Sequence, residues 1–287
     1  MERLISPRVT KEIVKKHGFR FTKSLGQNFL VDENILYKII DGAEVDKEDM
    51  VIEVGPGIGT LTQGVAERAG KVVAVEIDKT LIPILAETLG EQENVEVINA
   101  DILKIDIHKL IKEKSEGRPV KVIANLPYYV TTPIIMKFLE EKVPIQNIVV
   151  MIQKEVADRM QAQPNTKDYG ALSVAVQYYC EPEIVARVPK TVFIPQPKIE
   201  STVIRLKVLK EPRVKVADEK MLFAVVKAAF GKRRKTLLNA LSNSSLNIDK
   251  ETIKKMLESS GIEEKRRGET LTIEEFAKLA DTLCAHI

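Results

Sequence analysis

Five short runs rich in Val and Ile constrain the fold more than any other feature of the chain. They are Met50–Val54, Val72–Ile77, Val95–Asn99, Val120–Asn125 and Asn147–Ile152. Each reads as apolar on both faces, which suits a strand buried between two layers. Between them, Leu61–Ala69, Lys79–Leu89 and Pro133–Glu141 carry apolar residues at helical spacing. Strand–helix alternation of this kind predicts a doubly wound, Rossmann-like α/β sheet. Upstream, Ser6-Pro7 opens a helix that Gly18 stops, and Asp32 caps a second that runs to about Gly42. The stretch between them, Phe21 to Val31, reads as irregular.

The pattern changes after Tyr179. Glu183–Val188 and Ser201–Leu209 read as two strands, predicting a closing antiparallel hairpin. The linker between them holds three of the 13 prolines. From Asp218 onward only helices are predicted: Glu219–Phe230, Lys235–Leu241, Lys250–Ser259 and Ile273–Leu283. The expected organisation is an α/β domain over residues 1–209, with 1–31 as an N-terminal helix and covering segment. A smaller all-helical domain follows over 210–287.

With 287 residues and 44% hydrophobic side chains, the chain can bury a sizeable core. No apolar run approaches the roughly 20 residues of a membrane-spanning helix. The first 18 residues are charged throughout and lack an apolar signal core. Two cysteines build no disulfide scaffold, so a cytoplasmic protein is expected. The net charge of +3 hides an uneven distribution: 17 basic against 12 acidic groups over residues 206–287, and seven against two over residues 1–23. Such clustering fits a polyanion partner and fits a solvated surface equally well.

After the first predicted strand comes Glu53-Val-Gly55-Pro-Gly57-Ile-Gly59, opening a helix. Glycines let the backbone turn tightly and let a ligand touch the main chain. The dinucleotide fingerprint spaces its glycines G-x-G-x-x-G; here the last step is one residue shorter. That variant resembles the first motif of S-adenosylmethionine-dependent methyltransferases. Glu76 ends the second strand, 21 residues past Gly55. A carboxylate there can accept bonds from both ribose hydroxyls, of NAD or of S-adenosylmethionine alike. Asp78 reads as a helix cap. Asp101, with Ile102 beside it, ends the third strand; it suits an adenine amino group, and on its own a turn cap better.

The fourth strand ends Asn125-Leu126-Pro127-Tyr128, which resembles the turn of methyltransferases that act on nucleobase amino groups. The adenine amine is conjugated with its ring, so its lone pair is poorly available. The Asn125 oxygen, with the Leu126 or the Pro127 carbonyl, can accept the two amino hydrogens and draw the nitrogen toward a tetrahedral shape. Tyr128 can stack on a flipped base.

These blocks together resemble the ribosomal RNA adenine N6,N6-dimethyltransferase family. With them belong Lys23–Leu30, Val75–Asp78, Asn99–Asp101, Gln153–Glu155 and Phe193–Lys198, in the family's order, from about residue 20 to about 245. Tyr128–Pro133 and Phe230–Leu241 look like its KsgA-type branch, which acts on the small subunit. The large-subunit resistance branch matches these two blocks less well. The resemblance implies S-adenosylmethionine as cofactor and an α/β methyltransferase sheet with a helical C-terminal domain. It implies two adjacent adenines near the 3′ end of small-subunit (16S) ribosomal RNA as substrate, in a 30S precursor particle. A monomer is expected, though the sequence does not give the oligomeric state. Gln27, Asn28, Leu30, Gly55, Gly57, Gly59, Glu76, Ile77, Asp101, Ile102 and Asn125 are expected at the cofactor. Asn125, Leu126, Pro127, Tyr128 and Phe193 are expected at the target base, with Phe193 a second aromatic wall. The role of Phe29 stays open between core and site. Lys232, Arg233, Arg234 and Lys235 are expected to meet RNA phosphates. No metal is expected, since His17, His108 and His286 lack ligand spacing.

Overall fold

Val- and Ile-rich runs become strands wherever the sheet can bury them on both sides. The structure is a computed structural model and describes residues 3–22, 26–232 and 234–286. Its elements run α1 (Pro7–Lys16), β1 (Phe29–Leu30), α2 (Glu33–Gly42), β2 (Met50–Val54), α3 (Thr60–Ala66) and β3 (Lys71–Glu76). Next come α4 (Ile82–Thr88), β4 (Val95–Asn99), α5 (Ile107–Lys114), β5 (Val120–Asn125), α6 (Thr131–Glu140) and β6 (Asn147–Gln153). After these follow α7 (Lys154–Gln161), α8 (Ala171–Tyr179), β7 (Cys180–Val188), β8 (Phe193–Ile194) and β9 (Ser201–Val208). The chain ends with α9 (Glu219–Phe230), α10 (Leu237–Ser242), α11 (Lys250–Ser259) and α12 (Ile273–Cys284).

The main sheet has the order β4-β3-β2-β5-β6-β9-β7. Strands β2 to β6 run parallel, and β9 lies antiparallel to β6. The central strands β2, β5 and β6 are almost wholly buried, as their composition predicts. β4 differs: Glu96 interrupts it, and at the sheet edge it is only half-buried. Winding proceeds from β2 outward to β4, then returns to β5 on the other side of β2. Such a reversal opens a crevice at the carboxyl ends of the strands. A small second sheet pairs β1 with β8, Leu30 opposite Phe193.

The chain divides into two compact units. The sheet unit holds residues 1–157 and 182–208; the helical unit holds 158–181 and 209–287. The expected boundary at 209/210 misses the helical unit's first segment. That segment includes α8, for which no helix was predicted. Inside the helical unit, Tyr178 and Tyr179 of α8 pack on Phe223 at 5.4 and 5.9 Å between ring centroids. Tyr169 donates its hydroxyl to the Leu271 carbonyl at 2.9 Å. The helix predicted to start at Lys235 begins instead at Leu237, with Thr236 at its N-cap. Described residues Lys232, Arg234 and Lys235 therefore sit exposed in the turn before α10. Arg233 lies outside the described residues, as do Lys23, Ser24 and Leu25. No described helix is long and apolar enough to cross a membrane.

At the amino ends of β2 and β5, Lys121 and Asp49 form an ion pair at 2.7 Å, their side chains 6% and 3% exposed. Lys121 also donates to the Glu44 carbonyl, and Asp49 accepts from the Asp46 N–H at 2.8 Å. This cluster pins together the two strands whose opposite ends frame the crevice. Asp49→Ala should leave Lys121 buried and unpaired and destabilise the protein by about 3–5 kcal/mol. Denaturant unfolding monitored by circular dichroism measures it.

Candidate active site

The crevice holds an open cavity, with about 1140 Å³ of empty space when the solvent at its mouth is included. Its walls come from the ends of β2, β3, β4 and β5, and from the β1 and β8 segments. Gly55 and Gly57 turn through φ +71° and +63°, a region that strains any residue with a Cβ. A Cβ at Gly55 would stand in open space, and one at Gly57 would press to 3.0 Å from the Phe29 ring. Phe29 thus serves both purposes left open for it. It lines the cavity and is 6% exposed, packed on Phe19 and Phe21 at 5.9 and 5.2 Å. Val9 and Ile13 of α1 join the same apolar cluster, so the N-terminal helix supports the glycine turn from behind.

Glu76 ends β3 with its carboxylate buried. One oxygen accepts from the Gly57 N–H at 3.2 Å and the other from the Asp78 N–H at 2.8 Å. Burial raises its pKa above the ordinary carboxylate value, against the pull of those two backbone bonds. Ile77 beside it is 53% exposed on the cavity wall. Asp101 accepts from the Leu103 N–H at 3.0 Å as a turn cap, and it lines the cavity with Ile102. Asp78 does not cap a helix directly, since α4 starts at Ile82. It accepts from Thr80 and, at 2.8 Å, from the Gln27 amide. Gln27 also accepts from the Thr22 N–H at 2.9 Å. Its amide is thus engaged by the protein at both ends, strapping residues 26–28 to the end of β3.

Asn125 donates its Nδ2 to the Asn28 carbonyl at 2.9 Å. A carbonyl only accepts, so this bond fixes the amide and leaves Oδ1 as the free acceptor. The Pro127 carbonyl already accepts from the Val130 N–H and the Thr131 hydroxyl, at 3.2 and 3.1 Å. The Leu126 carbonyl accepts no bond among the described residues. Of the two carbonyls considered from sequence, Leu126 is the one left open. Tyr128 anchors its hydroxyl on Ser201 at 3.0 Å. Phe193, 2% exposed, faces the same cavity from β8.

Glu53, Glu76 and Asp101 line the cavity, and among the described residues no Lys, Arg or His does. Glu53, which precedes the glycines in the chain, is not among the residues expected at the site from sequence. It is 1% exposed, and its Oε2 has no hydrogen-bond partner. Burial, with Glu76 nearby, pushes its pKa up to about 8. Three acidic side chains, one with an orphaned carboxyl oxygen, and no cation among the described residues give a pyrophosphate nothing to pair with and suit a ligand that is itself cationic. The residues present therefore fit S-adenosylmethionine, with its sulfonium and ammonium charges, and do not fit NAD.

The sequence profile of the ribosomal RNA adenine dimethylase family matches residues 18–283. The chain belongs to the ribosomal RNA adenine dimethylase family. It is accordingly a methyltransferase that uses S-adenosylmethionine. It is 65% identical over 285 residues to ribosomal RNA small subunit methyltransferase A of Alkaliphilus metalliredigens, covering 99% of each chain. To the protein of the same name from Alkaliphilus oremlandii it is 67% identical over 283 residues, again covering 99% of each. Among solved structures, a dimethyladenosine transferase from Plasmodium falciparum superposes with a TM-score of 0.74 at 25% identity, over 88% of this chain and 95% of that one.

Within this dimethylase fold one expected cofactor residue stands apart. Gly59 does not line the cavity. Its φ of +90° forms the N-cap of α3, and a Cβ there would meet Leu89 at 3.0 Å. Its glycine serves the turn and the packing of that turn on Leu89. Among the described residues no group of three or more His, Cys, Asp or Glu is placed to hold a metal ion.

The Glu53 proton has a measurable consequence for the dimethylase. Folding holds it up to about pH 8, whereas the unfolded carboxyl loses it near its ordinary value of 4.5. The stability that Glu53 contributes is therefore full below pH 4.5 and is lost as pH rises from there through about 8. Glu53→Gln keeps the neutral shape and removes the titration. Its melting temperature should fall less between pH 6 and pH 8.5 than that of the parent protein, measured by calorimetry without ligand.

Proposed function

We propose that this chain transfers methyl groups from S-adenosylmethionine to the N6 amino groups of two adjacent adenines near the 3′ end of 16S ribosomal RNA, in a cytoplasmic 30S precursor. The observation that carries the proposal is the meeting, in one cavity, of a wall that is acidic and without cations among the described residues with the Asn125–Tyr128 turn. The names of the Alkaliphilus relatives support the small subunit as the substrate particle.

Glu76 holds the ribose hydroxyls of the cofactor, and Ile77 and Ile102 flank its adenine. Asp101 accepts from the adenine amino group. Asn28, Leu30 and the unpartnered oxygen of Glu53 serve the methionine end, while Gly55 and Gly57 give it main-chain contact. Gln27 holds the covering segment down. When bound, the cofactor supplies an electrophilic methyl on its sulfonium. The target adenine enters between Tyr128 and Phe193. Asn125 Oδ1 and the Leu126 carbonyl accept its two amino hydrogens and turn the nitrogen lone pair out of conjugation. Pro127 fixes φ, which sets the direction of the turn. These acceptors bind the pyramidal nitrogen more strongly than the planar one, so they act chiefly in the transition state. Lys232, Arg233, Arg234 and Lys235 meet RNA phosphates, which set position and affinity rather than base choice.

Unmethylated small subunits incubated with labelled S-adenosylmethionine should yield dimethyladenosine on mass analysis of digested RNA. Asn125→Ala should lower the single-turnover rate by about 10²–10³ while cofactor affinity holds. Tyr128→Phe should keep most activity, because stacking uses the ring and only the Ser201 bond is lost. Near-normal turnover by Asn125→Ala rejects this mechanism.

Replacing Arg234 and Lys235 by Ala should weaken subunit binding and reduce its salt slope by about one per phosphate contact removed. Filter binding across a salt series reads this directly. An unchanged slope removes the turn from the RNA interface.

A further inference from the structure

Tyr129 is used by neither the cofactor reading nor the base reading. It follows Tyr128 in the turn between β5 and α6 and stands on the cavity wall. Its side chain is 61% exposed. The chain has six tyrosines, eight phenylalanines and no tryptophan, and Tyr129 alone of these rings is exposed. Tyr169, Tyr178 and Tyr179 are buried, and Tyr37 and Tyr128 half-buried. No hydrogen bond or ring contact engages Tyr129 among the described residues. A Cβ added at Gly26 would sit 3.9 Å from the ring's Cδ1. The turn itself does not require an aromatic residue here.

We propose that Tyr129 is a stacking platform for the nucleobase next to the flipped adenine, and so a substrate-positioning residue. The inference rests on the reading of the site given above. Flipping one base out of a strand strips its neighbour of a stacking partner. A free aromatic face beside the turn that receives the flipped base replaces that partner. Stacking on a tyrosine tolerates any base, because every base offers a π-face. With two adjacent adenines as substrate, the occupant is the second adenine, held at the rim while the first is methylated. Tyr128 is fixed by Ser201 and turned to the cavity, so it cannot serve both bases. Tyr129, with no bond to hold it, is free to meet the second.

The test uses the full chain and small subunits reconstituted with 2-aminopurine in place of one or the other adenine. Bound to the wild-type enzyme, the probe beside the flipped adenine should be quenched by stacking. In Tyr129→Ala that quenching should be lost and the KM for subunits should rise about tenfold, with cofactor affinity unchanged. Tyr129→Phe should quench and turn over as the wild type does, since the ring remains. Equal quenching and equal KM in Tyr129→Ala and wild type would overturn the proposal while leaving the methyltransferase reading intact. Wild-type enzyme that forms no dimethyladenosine would bring down that reading, and this inference with it.

Discussion

Parallel pairing of β2 with β5 is the constraint on which the remainder of the site depends. β2 leads to β3 and β4 on one side, and the chain must return past it to lay β5 on the other. Loops leaving β2 and β5 therefore part in opposite directions, and their strand ends stand open to a ligand. Glu53 and Gly55 arrive from one loop, Asn125 to Tyr128 from the other. The buried pair of Lys121 and Asp49 holds the far ends of the same strands.

The crevice is chemically one-sided. Backbone N–H groups are directed at Glu76 rather than at an incoming anion. Acids collect on the cavity wall without cations among the described residues to balance them, and burial makes their ionisation costly. Glu53 answers that cost by keeping its proton. A cationic ligand relieves the same cost, so the site is electrostatically incomplete in the manner a sulfonium cofactor would complete. A dinucleotide would need the opposite: free backbone donors and no clustered carboxyls at its phosphates.

Closure comes from segments far apart in sequence. Residues 26–30 are held by the Gln27–Asp78 bond, by the Asn125 amide on the Asn28 carbonyl, and by pairing of Leu30 with Phe193. The same contacts that cover the cavity also orient its chemistry. The Asn28 carbonyl turns the Asn125 amide, and the β1–β8 pairing brings Phe193 to the cavity opposite the Asn125–Tyr128 turn. Covering segment and reactive turn are in this sense one construction.

By itself the sequence determined the parts whose meaning is local. Strand runs, the shortened glycine turn, Glu76 at a strand end and the Asn125–Tyr128 turn each read correctly as elements, because a few neighbouring residues dictate both backbone and chemistry. Only the tertiary structure decided matters of pairing between distant residues. It separated Gly59, spent on Leu89, from Gly55 and Gly57, which face the cavity. It filled the Pro127 carbonyl with two bonds and left that of Leu126 without a partner among the described residues. It gave Gln27 a strap's work and Phe29 a double one, and it assigned residues 158–181 to the helical unit. In that unit α8 is stabilised by ring packing on Phe223, a residue 44 positions beyond Tyr179. Periodicity does not report such contacts, since burial by a distant partner leaves no mark on the residues next in line.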